Sequence, residues 1–210
     1  MFAGGIDTST TIVEWALVEL IRHKDIMRTL QDEINLVVGN TRLIREEDIP
    51  NLPYLQDTVK EIMRLHPTAP FLNPRESREP CEINGFHVME KTRLIVNVWS
   101  LSMDENSWEN PLEFSPERFL GSDVDVKGHH FQLLPFGAGR RACPAINLGL
   151  INVHLILASL VHCFEWTLPL GVEEFDMREK FGLTLHRANP LVLMGSPRLS
   201  RELYASLQDQ

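Results

Sequence analysis

Pro135-Phe136-Gly137-Ala138-Gly139-Arg140-Arg141-Ala142-Cys143-Pro144-Ala145 is the stretch whose reading decides the fold. An apolar lead-in, Phe131-Gln132-Leu133-Leu134, delivers the chain to it. Gly137 and Gly139 give the backbone access to left-handed conformations and let a ligand come close. Two arginines follow, then Cys143, then Pro144 and a long apolar run. Proline is favoured at the first position of a helix, so the spacing predicts that Pro144 opens a helix with Cys143 at its N-terminus. Unsatisfied N–H groups and the helix dipole favour negative charge there, and the thiolate is the form of cysteine that binds metal. A glycine loop, a cationic fork and a thiolate suit a flat anionic metallocofactor. Cys143 alone has two other readings: a small buried hydrophobe, or the nucleophile of a thiol hydrolase partnered by one of the eight histidines. No Cys/His motif supports the hydrolase.

The length of 210 residues predicts one domain, or one large piece of a domain. With 43% hydrophobic and 23% charged residues, the chain has enough apolar material for a core. A net charge of −9 with no basic block argues against nucleic acid as a partner. Cys81, Cys143 and Cys163 are far apart, which is neither a disulfide framework nor a zinc pattern, and a reducing compartment follows. The start, Met1-Phe2-Ala3-Gly4-Gly5-Ile6-Asp7, has no basic n-region and no long apolar stretch, so no signal peptide is predicted. The apolar run Leu148 to Val161 is interrupted by Asn152 and His154, and is predicted too short and too polar to span a bilayer. A motif as early as residue 4 suggests a fragment.

Outward from the opening stretch, Asn147 to Phe164 is mostly apolar and predicts a buried helix. Thr10 to His23 predicts a helix, with Thr11 and Glu14 as a capping box. Asp25 could cap a second helix through Val38, with Ile26, Leu30, Ile34 and Val37 at helical spacing and Gly39-Asn40 as its stop. Arg45 to Asp48 reads as a polar link, and Tyr54 to Leu65 as a third helix with Leu55, Val59 and Ile62 on its apolar face. Asn84-Gly85 signals a hairpin, and Leu94 to Trp99 a buried strand. Asp104 to Gly128 reads as loop. Leu183 to His186 and Leu191 to Met194 read as short strands, and 198–210 as a loose tail. Trp99, Trp108 and Trp166 read as core or packing residues. The class is mainly α with minor β, and no internal domain boundary is visible, so 1–210 reads as a single partial domain.

Phe136-x-x-Gly139-x-Arg141-x-Cys143 matches the haem-thiolate signature of the cytochrome P-450 family. Lys60-Glu61-Ile62-Met63-Arg64-Leu65-His66-Pro67 is similar to that family's K helix, and Phe114-Ser115-Pro116-Glu117-Arg118-Phe119 resembles its PERF segment. Gly4-Gly5-Ile6-Asp7-Thr8 reads locally as an ordinary helix start; beside the other motifs it looks like the oxygen-binding segment of the I helix. The resemblance runs in family order over nearly the whole chain, and Val96-Asn97-Val98-Trp99 and Trp108-Glu109-Asn110-Pro111 look most like plant microsomal members.

The resemblance implies the C-terminal half of the cytochrome P-450 fold: I, J, K and L helices plus short β-sheets, incomplete at the N-terminus. It implies haem b with Cys143 as axial ligand, whose donation favours O–O cleavage. Phe136 would pack beside the thiolate within the glycine turn of Gly137 and Gly139. Arg141 and Arg75 would pair with the haem propionates, as guanidinium geometry suits carboxylates. Glu61, Arg64 and Arg118 would form a network holding the haem loop. Asp7 and Thr8 would relay protons to dioxygen. Ala69 to Asn73 and Phe181 to Thr184 would touch substrate. One departure stands out: Ala145 occupies a position where the family usually has glycine. The implied activity is monooxygenation of a small apolar organic substrate with O2, in plant secondary metabolism. Electrons would come from NADPH through a separate NADPH–cytochrome reductase flavoprotein. The implied location is the cytosolic face of the endoplasmic reticulum membrane, through an anchor absent from this chain. The competing expectation is a truncated, catalytically incompetent fragment that at most binds haem or a partner.

Overall fold

The structure is a computed structural model and describes residues 2–182 and 184–205. Its centre is helix α1, Phe2–Arg22. From Thr11 to Leu20 every residue but Glu14 is buried, as expected of a helix that is apolar on nearly all sides. The helix runs straight through Gly4-Gly5, so it does not start at Thr10, and Thr11 and Glu14 form no capping box. Thr11 Oγ1 instead donates to the Asp7 carbonyl at 2.9 Å, and Glu14 accepts the Leu191 N–H at 2.9 Å. Packing of the apolar segment outweighs the roughly 0.5–1 kcal/mol that each helical glycine costs.

Helix α2, Lys24–Val38, buries Ile26, Met27, Leu30, Ile34 and Val38. Its N-cap is His23 rather than Asp25. Gly39 stops it at φ +75°, donating to Asn35 O at 3.0 Å. The polar link that follows is a 3-10 turn over Glu46–Asn51. Helix α3, Pro53–Leu65, opens on proline and buries more than the expected stripe: Glu61 and Arg64 lie at 0% exposure.

Next come small sheets. β1 (Arg75–Glu76) pairs antiparallel with β4 (Arg93–Leu94). β2 (Cys81–Ile83) pairs with β3 (Phe86–Val88) across Asn84 at φ +50° and Gly85 at φ +82°, a two-residue hairpin with both turn residues left-handed. Leu94 to Trp99 is not a buried strand. Asn97 Oδ1 accepts the Ser100 N–H at 3.1 Å and starts the short helix α4, Val98–Ser102. That side-chain bond gives the backbone an alternative to a strand ladder. Leu94, Ile95 and Trp99 are 47%, 52% and 45% exposed, so Trp99 is not a core residue, whereas Trp108 is buried.

Helix α5, Ile146–Cys163, has Ala145 as its N-cap; Pro144 therefore precedes the cap and does not occupy the first helical position. It buries Val153, Leu157, Ala158 and Val161 but turns Leu148 and Ile156 outward, so it is not buried on all sides. Asn152 and His154 do not disqualify it: by length and composition it is apolar enough to cross a membrane. Here it packs on α1, α2 and α3, the arrangement of a core helix.

β5 (Phe164–Thr167) pairs with β8 (Met194–Pro197), and β6 (Glu179–Lys180) with β7 (His186–Arg187). The expected strands therefore share only His186 and Met194 with those observed, and Leu183 lies outside the described residues. In the expected tail, Arg201–Ala205 is helix α6 and Tyr204 donates its hydroxyl to Cys163 O; 206–210 lies outside the described residues. The molecule is mainly helical, with four two-stranded sheets among the described residues. One core joins α1, α2, α3 and α5.

Candidate functional site

The glycine loop is shaped by its own backbone and by three neighbours. Gly137 and Gly139 sit at φ +69° and +67°, conformations that glycine adopts without strain. The loop closes on itself where the Cys143 N–H donates to Phe136 O at 2.9 Å. The Phe136 ring lies over α5, 3.5 Å from where a Cβ on Gly149 would be. Gly128, at φ +88°, backs the loop so closely that a Cβ there would lie 2.8 Å from Gly137 O and 3.0 Å from Ala138 Cα. Leu72, itself at φ +49°, comes within 3.6 Å of the Cβ position of Gly137. Gly128 did not stand out in the sequence, and Leu72 was expected only as part of the Ala69 to Asn73 substrate segment, not as a neighbour of the loop. Gly128 acts through backbone approach and Leu72 through its side-chain methyls, and neither leaves a periodic signal.

Cys143 is half-buried and reduced. It lines an open cleft of about 1420 Å³ together with Phe136, Gly137 and Arg141. The first two turns of α1 line the same cleft with Gly4, Gly5, Asp7 and Thr8. Arg75 enters from β1. Gly139 sits at the head of the 3-10 turn Gly139–Arg141 and does not line the cleft. Thr8 Oγ1 donates back to Gly4 O at 2.7 Å. Asp7 Oδ2 accepts from Thr184 Oγ1 at 2.6 Å.

The chemistry of this cleft fits a flat anionic metallocofactor. Among the described residues, Arg75, Arg78, Arg140 and Arg141 line it, and their guanidinium groups make no ion pair or hydrogen bond, so four cations remain available to carboxylates. One thiol faces the same space, and no group of three or more His, Cys, Asp or Glu side chains among the described residues could hold a bare metal ion. Ala145, the departure from the family pattern, sits at φ −109°, ψ 28°; its backbone makes no demand for glycine.

A buried ionic knot joins α3 to the segments around Ser102 and Glu109 to Arg118; among the described residues, none of its hydrogen bonds reaches the 135–145 loop that it was expected to hold. Arg64 Nε and Nη2 reach Glu61 Oε2 and Oε1, each at 2.8 Å. Arg118 Nε reaches the same Glu61 Oε1 at 3.0 Å, as does the Ser115 N–H at 3.0 Å. Arg64 Nη1 is taken by Ser102 O at 2.8 Å and Pro111 O at 2.7 Å. The structure thus brings together Glu61, Arg64 and Arg118, which are 57 positions apart at the extremes.

Comparison with known proteins agrees with this geometry. The family model for cytochrome P-450 matches residues 1–194. The chain belongs to the cytochrome P-450 family. It is 46% identical over 207 residues to a flavonoid 3',5'-hydroxylase of Campanula medium, covering 97% of this chain and 40% of that protein. It is 49% identical over 210 residues to a flavonoid 3'-monooxygenase of Arabidopsis thaliana, covering 97% and 41%. A zebrafish cytochrome P-450 solved with abiraterone superposes with a TM-score of 0.85 at 30% identity, over 94% of this chain and 45% of that one. The P-450 chain therefore spans about two-fifths of the curated relatives it matches. The family carries a haem-thiolate iron, and the cleft beside Cys143 has the donor set that suits one.

Proposed function

We propose that this P-450 chain forms the proximal and distal walls of a haem-thiolate monooxygenase site acting on a small, largely apolar organic substrate. The observation that carries the reading is Cys143 on a positive-φ glycine loop, lining one cleft with Asp7 and Thr8. Haem b, when bound, supplies the activation of O2 and the insertion of one oxygen atom. Cys143 Sγ would hold its iron, and Arg141 and Arg75, both free of other partners, would hold its propionates bidentately. The Phe136 ring, fixed against α5, shields the thiolate side from water.

In the same cleft, the Asp7 carboxylate would pass protons on and Thr8 would position water for their delivery, the work of a general acid in a polar relay. Gly4 and Gly5 meet no atom within 4 Å of their Cβ positions, which leaves α1 room beside the cofactor. Glu61, Arg64 and Arg118 tie α3 to the segments around Ser102 and Glu109 to Ser115 and take no part in the chemistry. Electrons from NADPH would arrive through a separate flavoprotein reductase. Two of the relatives above are named for flavonoids, so a flavonoid is the first substrate class to try.

The test is the difference spectrum of the reduced, carbon monoxide-bound protein. A thiolate-type Soret band in the parent and its loss in Cys143→Ser are expected. A Cys143→Ser protein that keeps the band overturns the ligand assignment. A parent that binds haem yet consumes no O2 with reductase and substrate would favour the reading as a haem-binding fragment.

A further inference from the structure

The Asp7 carboxylate is tied to the hairpin of β6 and β7 by two side chains. Thr184 Oγ1 donates to Asp7 Oδ2 at 2.6 Å and lies 2.7 Å from His186 Nε2. Thr11 Oγ1, one helical turn beyond Asp7, lies 3.0 Å from His186 Nδ1. A hydroxyl has one hydrogen to give. That of Thr11 goes to the Asp7 main-chain oxygen at 2.9 Å, and that of Thr184 goes to the Asp7 carboxylate. Each hydroxyl therefore offers His186 only lone pairs, and both ring nitrogens face acceptors. An imidazole that donates from both nitrogens carries a proton it can release, and here it sits 3.7 Å from Asp7 Oδ2.

The surroundings suit a relay. The His186 side chain is 36% exposed, whereas Thr184 is buried and lines the cleft with Asp7. Among the charged groups of the packed elements, Asp7 faces the ring from α1 and Lys180 pairs with it in register from β6. Arg187, next along β7, turns its guanidinium over Trp15. Glu179 of β6 faces His66.

We propose that His186 reloads Asp7 with protons through the Thr184 hydroxyl, a role that rests on reading Asp7 as the proton source of the site. In one step the His186 Nε2 proton passes to Thr184 Oγ1 while the Thr184 hydroxyl proton passes to Asp7 Oδ2. The net change is one proton moved from imidazolium to carboxylate. No electron moves, and neutral His186 takes a proton back from solvent water. His186 is a positioning residue: it touches neither substrate nor cofactor.

The test compares the haem-loaded parent with His186→Gln, Thr184→Val and Asp7→Asn. The first readout is product formed per O2 consumed, from about pH 5 to about pH 8, the range in which imidazole changes charge. In the parent this ratio falls as pH rises. In His186→Gln and Thr184→Val it is about tenfold lower at the acid end, less than the ~10²-fold of a directly acting acid, and the pH slope is gone. The second readout needs no turnover: the His186 Nε2 proton gives a 15N-coupled NMR signal slowed in exchange, lost in Thr184→Val. If Asp7→Asn uncouples while His186→Gln keeps both ratio and slope, the proposal fails and the Asp7 reading stands. If Asp7→Asn leaves the ratio unchanged, both fail. A ratio in His186→Gln lowered equally at every pH would mean a structural role only, and would also overturn the proposal.

Discussion

Arg64 lies at 0% exposure, and its Nε, Nη1 and Nη2 all have acceptors: both Glu61 oxygens and the carbonyls of Ser102, Pro111 and Glu113. Such a charge is tolerated inside because its hydrogen-bonding capacity is met, and removing one partner strands the other. Arg64→Ala should cost about 3–5 kcal/mol, read from urea unfolding. Arg64→Lys should recover little of that, because an ammonium cannot reproduce the planar fork. The i,i+3 spacing of Glu61 and Arg64 is plain in the sequence, but spacing alone describes an exposed pair worth a few tenths of a kcal/mol. Burial and the arrival of Arg118 from a distant turn change that value, and neither is a property of the local sequence.

At the scale of elements, two glycines near the loop have opposite prospects. Gly149 is helical, and a Cβ there would touch Phe136 at 3.5 Å, an ordinary contact. Gly149→Ala should raise stability by about 0.5–1 kcal/mol through helix propensity, with the carbon monoxide difference spectrum unchanged. Gly128 combines φ +88° with a Cβ position 2.8 Å from a backbone oxygen. Gly128→Ala should displace Gly137 and Ala138 and weaken haem retention, measured as haem lost on gel filtration. The amphipathic spacing of α2 and α3 and the Asn84-Gly85 turn could be read directly, since each depends on residues within one or two turns. The stretch Leu94 to Trp99 could not: its apolar run suited a strand, but a single Asn97 side-chain bond redirected the backbone into α4.

Across the whole molecule, a charged cluster joins α1, the end of α3 and β6. His66 Nε2 meets Glu19 Oε1 at 2.8 Å, and its Nδ1 stands 4.0 Å from Glu179 Oε1, while the Trp15 ring stacks on it at 4.0 Å. Burial works against the charge on His66, but the carboxylates of Glu179 and Glu19 outweigh it and raise its pKa above the ordinary 6.5. Burial pushes Glu19 up, but the hydrogen bond and charge of His66, with Arg22 and His23, outweigh it and hold Glu19 below the ordinary 4.5. The His66 contribution to stability is therefore complete below pH 6.5 and is lost as pH rises through its raised pKa. That of Glu19 is complete above pH 4.5 and is lost as pH falls through its lowered pKa. The cluster should stabilise most between these two values. His66→Gln should remove the alkaline decline, seen as a smaller fall in thermal midpoint above pH 6.5 than in the parent. The comparison isolates His66 from His154 and His162, which burial lowers and whose contributions are instead lost toward acid.

The sequence by itself determined the family and the helical class, and it singled out Cys143, Glu61, Arg118 and Asp7 as candidates, because each belongs to a short motif whose spacing reflects local backbone geometry. Tertiary structure alone decided which of these residues share a space. It put Asp7 and Cys143 on one cleft, buried the Glu61–Arg64 pair, pressed Gly128 against the loop, and brought Thr184 and His186, 177 and 175 positions from their α1 partners, onto the first turns of α1. The reason is physical: a motif records what a few neighbouring residues need, whereas burial and hydrogen-bond partnership between distant segments depend on how the whole core packs.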